Sequence, residues 1–188
     1  MPPGAIGSLR LARGGPLSGY FQPVRIRAPE GARISLAEEG GFGAPHWNNV
    51  LVGMQIGPVY RLQVADFSAE PGQEVFPTVE IIDRLYPPQG LALRYPILIE
   101  LTADELDMAA QGMFVTRVIY LENPNQALPV DEPDEQQWVE APRGADPLAV
   151  ADEMGRPVAI LRIGGRHPSS TGIAFDACPP PLTYYDAP

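Results

Sequence analysis

The chain of 188 residues contains no lysine, so all 13 of its basic residues are arginines. That absence removes the phosphate-gripping lysine of a P-loop, the Schiff-base lysine of pyridoxal and aldolase chemistry, and any Ser-Lys dyad. Cysteine is almost as scarce: Cys178 stands alone, which excludes an internal disulfide framework and leaves a free thiol or a bridge to another chain. His46 and His167 lie far apart, without the paired spacing of a zinc site. No run approaches the roughly 20 apolar residues of a membrane span. Met1 to Arg10 lack the charged start and apolar stretch of an export leader. Basic patches are missing too. The formal net charge is −10, from 23 acidic residues against 13 arginines, which excludes counterion-driven binding to nucleic acid and adsorption to an anionic bilayer.

What the chain has in abundance is punctuation. Its 19 glycines and 23 prolines exceed average usage and favour short strands over long helices. Alternation with a period of two marks the strands. Val24, Ile26 and Ala28 alternate with Arg25 and Arg27; after Pro29-Glu30-Gly31, Ile34 and Leu36 alternate with Arg33 and Ser35, which predicts a hairpin. Val50 to Val52 is a short strand, and Tyr60, Leu62 and Val64 mark another. Glu74 to Leu85 forms the next, with Val79 and Ile81 on one face and Glu80 and Ile82 on the other; Pro77 implies an edge or a bulge in it. Tyr95, Ile97, Ile99 and Leu101 follow the same period. Met113 to Glu122 is apolar on both faces and reads as a central strand. Arg156 to Ile163 is the last.

Two short helices connect them. Thr102-Ala103-Asp104-Glu105 fits a capping box flanked by the staple pair Leu101 and Leu106, with Gly112 beyond the end. Asp146 caps a second helix that starts at Pro147 and stops at Gly155. The expected fold is mainly β: an immunoglobulin-like β-sandwich of about seven strands, with a closed or partly open barrel as rival. Residues 1–19 are expected as an extended arm, 20–166 as the body with an acidic loop at 129–145, and 167–188 as an extended tail.

Motifs for chemistry are weak. Gly40-Gly41-Phe42-Gly43 lacks the strand-to-helix setting of a nucleotide fingerprint, and Ser169-Ser170-Thr171 has no nucleophile-elbow glycines. Asp131 to Glu135 lacks the spacing of a calcium loop. Asp104, Glu105 and Asp107 are explained by helix capping. Cys178 sits in a proline-bound tail, a poor frame for a Cys-His pair with His167. No catalytic residue, metal or cofactor is therefore expected. Arg25, Arg27, Arg33 and Arg61 fall on strand faces, where their forks suit carboxylates. Tyr20-Phe21 and Tyr184-Tyr185 place aromatics at the two arms, where a partner surface uses them as anchors. Tyr20, Phe21, Arg25, Arg27, Tyr184 and Tyr185 are the candidate partner-binding residues.

Four stretches carry a resemblance: Gly19 to Val24, Asp83 to Pro88, Phe114 to Glu122 and Gly155 to Gly165. Over residues 19–166 the chain resembles uncharacterised planctomycete-type bacterial β-rich proteins of the cell envelope, a family without an assigned activity. The resemblance implies an extracytoplasmic or envelope location, with the cytoplasm as the alternative in the absence of a leader. The expected function is a non-enzymatic structural subunit that joins other protein subunits, as a homo- or hetero-oligomer, through its arms and edge strands. A polysaccharide- or small-ligand-binding module using Trp47 and Trp138 is second, and a hydrolase third.

Overall fold

A computed structural model describes residues 3–15, 19–68, 72–122, 139–164 and 179–186. Among them the chain is mainly β, with its strands in two sheets and three short helices. The acidic run 131–135, Trp138, His167, the 169–171 segment and Cys178 lie outside the described residues.

The first sheet centres on β1 (Phe21–Arg27), which pairs antiparallel with β5 (Asn49–Gln55) and parallel with β9 (Ile97–Glu100). The parallel pairing begins at Val24, one residue after Pro23, whose missing N–H would otherwise break the ladder. The second sheet runs β10 (Phe114–Glu122), β11 (Gly155–Gly164), β8 (Thr78–Ile81), β6 (Val59–Ala65), β2 (Arg33–Glu38) and β3 (Gly41–Phe42). Two-residue strands β4 (His46–Trp47) and β7 (Glu74–Val75) add to β2 and β6. Val24 and Ile26 from the first sheet join Ile34, Leu36, Leu62 and Leu161 from the second in one buried cluster. Each such side chain contributes about 1.5–3 kcal/mol on leaving water.

The hairpin expected between β1 and β2 does not form, because the two strands lie in different sheets. Instead they make one bent ribbon with β4 and β5. Arg27 pairs with Asn49 on one side of the bend, and Arg33 pairs with Trp47 on the other. Asn48, at φ 37°, stitches the corner: its carbonyl accepts from Ala28 N at 2.9 Å and its N–H donates to Ala32 O at 2.8 Å. Alternation reports that each run has a buried face. It does not report which sheet owns that face.

The first segment departs from the extended arm expected for 1–19. Residues Ala5–Ala12 form helix α1, docked on the second sheet through Ile6, which meets Ile82 and Ile160. Three contacts hold it. Glu80 is fully buried and accepts from Gly4 N at 2.9 Å and Gly7 N at 3.0 Å, where the helix dipole is positive. Asp83 accepts from Arg10 in the last turn at 3.1 Å. Gly7 lies so close to the Gly57 backbone that a Cβ there would sit 2.6 Å from Gly57 Cα. Small residues and glycines read as linker composition from sequence, yet here they permit close packing.

The described part of the tail likewise returns to the body. Strand β12 (Leu182–Tyr184) pairs antiparallel with β5 as the outer strand of the first sheet. Tyr60 anchors its approach, accepting from Gln55 N at 2.7 Å and donating to Pro181 O at 2.9 Å.

The two remaining helices follow the sequence closely. Helix α2 (Ala103–Ala110) starts with the complete capping box, Thr102 accepting from Glu105 N while Glu105 accepts from Thr102 N. It ends in a Schellman motif, with Met113 N bonded to Met108 O and Gly112 N to Ala109 O around Gly112 at φ 87°. Helix α3 (Pro147–Met154) is capped by Asp146, which accepts from Leu148 N at 3.1 Å. The strand expected over Glu74 to Leu85 is split at Pro77 into β7 and β8.

Candidate functional site

Strand β10 was expected at the centre of a sheet and stands at its end. It pairs with β11 on one side only, and no described residue pairs its other edge. Its two apolar faces have another cause. Val115 and Ile119 pack on the main core that includes Leu106 and Ala109 of α2, whereas Val118 packs with Leu148 of α3 on the second cluster. Two helices, in place of two neighbouring strands, cover this strand. Phe114 remains 68% exposed and Leu121 39% exposed. A bulge between Ile119 and Tyr120 shifts the register near the far end.

Along the free edge runs a groove of about 980 Å³. Met108 and Asp104 of α2 line one wall, and Val150 and Met154 of α3 the other. Residues 115–120 of β10 form the floor, and residues 139–145 complete the rim. Among the described residues its lining has no histidine and no cysteine. Its ionised groups are unevenly distributed. Glu105 and Arg117 neutralise each other at 2.9 Å, with the guanidinium also donating to Glu100 O at 2.9 Å. Burial pulls Arg117 below its ordinary range, and the Glu105 carboxylate opposes that pull. Asp104, Glu122 and Glu140 then stand with Arg143 as the only other cation among the described lining residues. Burial, together with Glu122, raises the Tyr120 phenol above its usual value.

The six residues expected to hold a partner are placed elsewhere, on and beside the first sheet. Tyr20 lies under the Arg84 guanidinium at 5.4 Å. Phe21 and Tyr185 both press on Gly53, where an added Cβ would meet Tyr185 Oη at 2.8 Å and Phe21 Cβ at 3.0 Å. Arg25 sits opposite Leu51 with a buried Nε that has no hydrogen-bond partner among the described residues. Arg27 is exposed, opposite Asn49. Tyr184 donates to Glu38 Oε1 at 2.7 Å and stacks on His46 at 5.1 Å, and Tyr185 N donates to Leu51 O at 3.0 Å. Both C-terminal tyrosines are thus engaged by their own chain. Arg33 and Arg61 lie in the second sheet, where Arg33 pairs with Asp66, so the four arginines form no single patch.

Sequence reasoning missed two buried ionic centres. Glu80 takes Arg162 at 3.2 Å as well as the α1 amides. Asp83 receives both Arg10 and Arg156, the latter at 2.7 Å. The signal was present: Ile82 shares a face with Glu80, and an apolar residue there implies that something covers that face. Trp47 is 68% exposed on β4. No described helix is long and apolar enough to cross a membrane, and no three potential metal ligands cluster among the described residues. Comparison with protein-family models, curated proteins and solved structures finds no match.

Proposed function

We propose that the protein is a non-enzymatic interaction subunit, built as a β-sandwich of immunoglobulin-like type, that binds another protein chain along the free edge of β10. One observation carries this reading: a nine-residue strand with apolar faces ends its sheet, and no described residue pairs its outer edge. Such an edge presents a row of backbone donors and acceptors that a second chain completes. The shared core of the two sheets supports the sandwich. The edge strand takes the role expected of the terminal arms, since α1 and β12 pack on the body. The resemblance to cell-envelope proteins supports an envelope assembly.

The test is site-specific photo-crosslinking in producing cells, with the reactive side chain at exposed Thr116 of β10 or at exposed Glu30 as control. We expect a discrete protein adduct from position 116 that disappears when Phe114→Lys/Leu121→Lys, both at exposed positions of β10, is added, because edge lysines block strand pairing. An adduct equally strong from Glu30, or one indifferent to the lysines, overturns the reading. A second reading, polysaccharide binding, is favoured by the exposure of Trp47 alone. Quenching of tryptophan fluorescence by soluble glycans, lost in Trp47→Ala, tests it.

A further inference from the structure

Resting on that reading, we infer that the β10 groove takes an extended, basic segment of a different protein as an added strand. Three features define the occupant. The first is backbone. The unpaired edge needs N–H and C=O groups presented in line, which an extended chain offers and a helix keeps for itself. Between Phe114 and Ile119, ahead of the bulge, the ladder is regular, so pairing belongs to this stretch.

The second feature is the pair of walls. Side chains of an added strand alternate between two faces. On this edge one face meets Met108, Val115 and Ile119 and the other meets Val118, Val150 and Met154, so both faces of the incoming strand find apolar surface. A methionine on each wall gives a pliable surface that accepts different side-chain shapes.

The third feature is charge. Once Glu105 and Arg117 have paired, Asp104, Glu122 and Glu140 outnumber Arg143 among the described lining residues. Arginine or lysine on the incoming segment meets those carboxylates at the rim, where charge selects partners and speeds encounter. The same argument weighs against a second copy. The chain carries −10 overall, and its own basic alternating run, Val24 to Arg27, is already paired on both sides by β5 and β9. A charge that projects from the strand is one common guard of a sheet edge. Here the one charge before the bulge, Arg117, is held against α2 by Glu105, and so does not guard the edge that no described residue pairs.

The experiment uses the full chain and three synthetic nine-residue peptides: one alternating arginine with valine, the same with glutamate for arginine, and the basic peptide N-methylated at every second residue. Fluorescence anisotropy at low salt should show binding of the basic peptide, with about a tenfold loss for the acidic one. N-methylation on the pairing side should abolish binding. Asp104→Asn/Glu122→Gln, both at exposed positions, should weaken the basic peptide by about five- to tenfold, and the neutral Val150→Asn should do so by removing apolar surface from one wall. Failure of the basic peptide to bind, equal binding of both signs, or indifference to N-methylation overturns the inference. If it falls while the Thr116 adduct persists and remains lysine-sensitive, the docking edge stands and only its selectivity is lost. If the adduct is also absent, the edge itself is not a docking site.

Discussion

Glu80 is the residue on which the N-terminal packing turns. Its carboxylate has no exposed surface, yet it meets two amides of α1 and the Arg162 guanidinium, itself only 11% exposed. Replacing it isosterically keeps shape and removes charge. Glu80→Gln leaves Arg162 buried without a counter-ion, for which about 3–5 kcal/mol of destabilisation is expected. A lower urea midpoint with an unchanged slope would show it; a midpoint within error of the wild type would refute the assignment. Gln22 does related work for the opposite sheet. It is buried in β1, accepts from Leu85 N at 2.7 Å, and so ties the loop after β8 to the first sheet. Neither role follows from residue type, since Glu and Gln in strands ordinarily face water.

At the scale of elements, α1 is held as much by what it lacks as by what it carries. Gly7→Ala inserts a methyl against the Gly57 backbone, which cannot give way as a flexible side chain would. A loss of about 1–3 kcal/mol is expected, together with faster amide hydrogen exchange across residues 5–12. Exchange unchanged there would mean that the close approach is relieved elsewhere. The sequence disclosed those elements whose signals are local. The capping box at Thr102, the glycine stop at Gly112 and the Asp146-Pro147 start appear where the letters put them. So does the buried face of Tyr60, Leu62 and Val64. What it concealed is non-local. Nothing within Phe114 to Glu122 distinguishes cover by two helices from cover by two strands, so a sheet end reads as a sheet centre. Nothing between Arg27 and Arg33 distinguishes a hairpin turn from a corner between sheets. The groove inherits this limit: its floor was visible as an apolar strand, but its walls come from residues before and after it in the chain.

For the molecule as a whole, three tyrosines fasten the C-terminal strand, and burial is the main cause that raises each phenol. Tyr60 is pushed up to about 12. Tyr184, which also donates to Glu38, and Tyr185, near Tyr20, move in the same direction. A raised folded value means that the folded chain keeps protons which the unfolded chain releases above its ordinary value of 10.0. Their contribution is complete below about pH 10 and declines as the pH rises towards about 12. Urea unfolding between these limits should therefore show falling stability, with β12 released first and a delayed tyrosinate absorbance change. Tyr60→Phe should flatten that decline while lowering stability at neutral pH, because Gln55 N and Pro181 O lose their shared partner. A decline of equal steepness in the variant would assign the effect to other groups.

The two fastened segments also meet one short stretch of backbone. Helix α1 rests on Gly57, β12 pairs with residues 52–54, and Tyr60 grips the approach to β12 from just beyond. This stretch spans the end of β5 and the start of β6, so it links the two sheets at the point where both segments touch it. A shift of this stretch therefore reaches both segments at once, while α1 keeps a separate hold on Glu80 and Asp83.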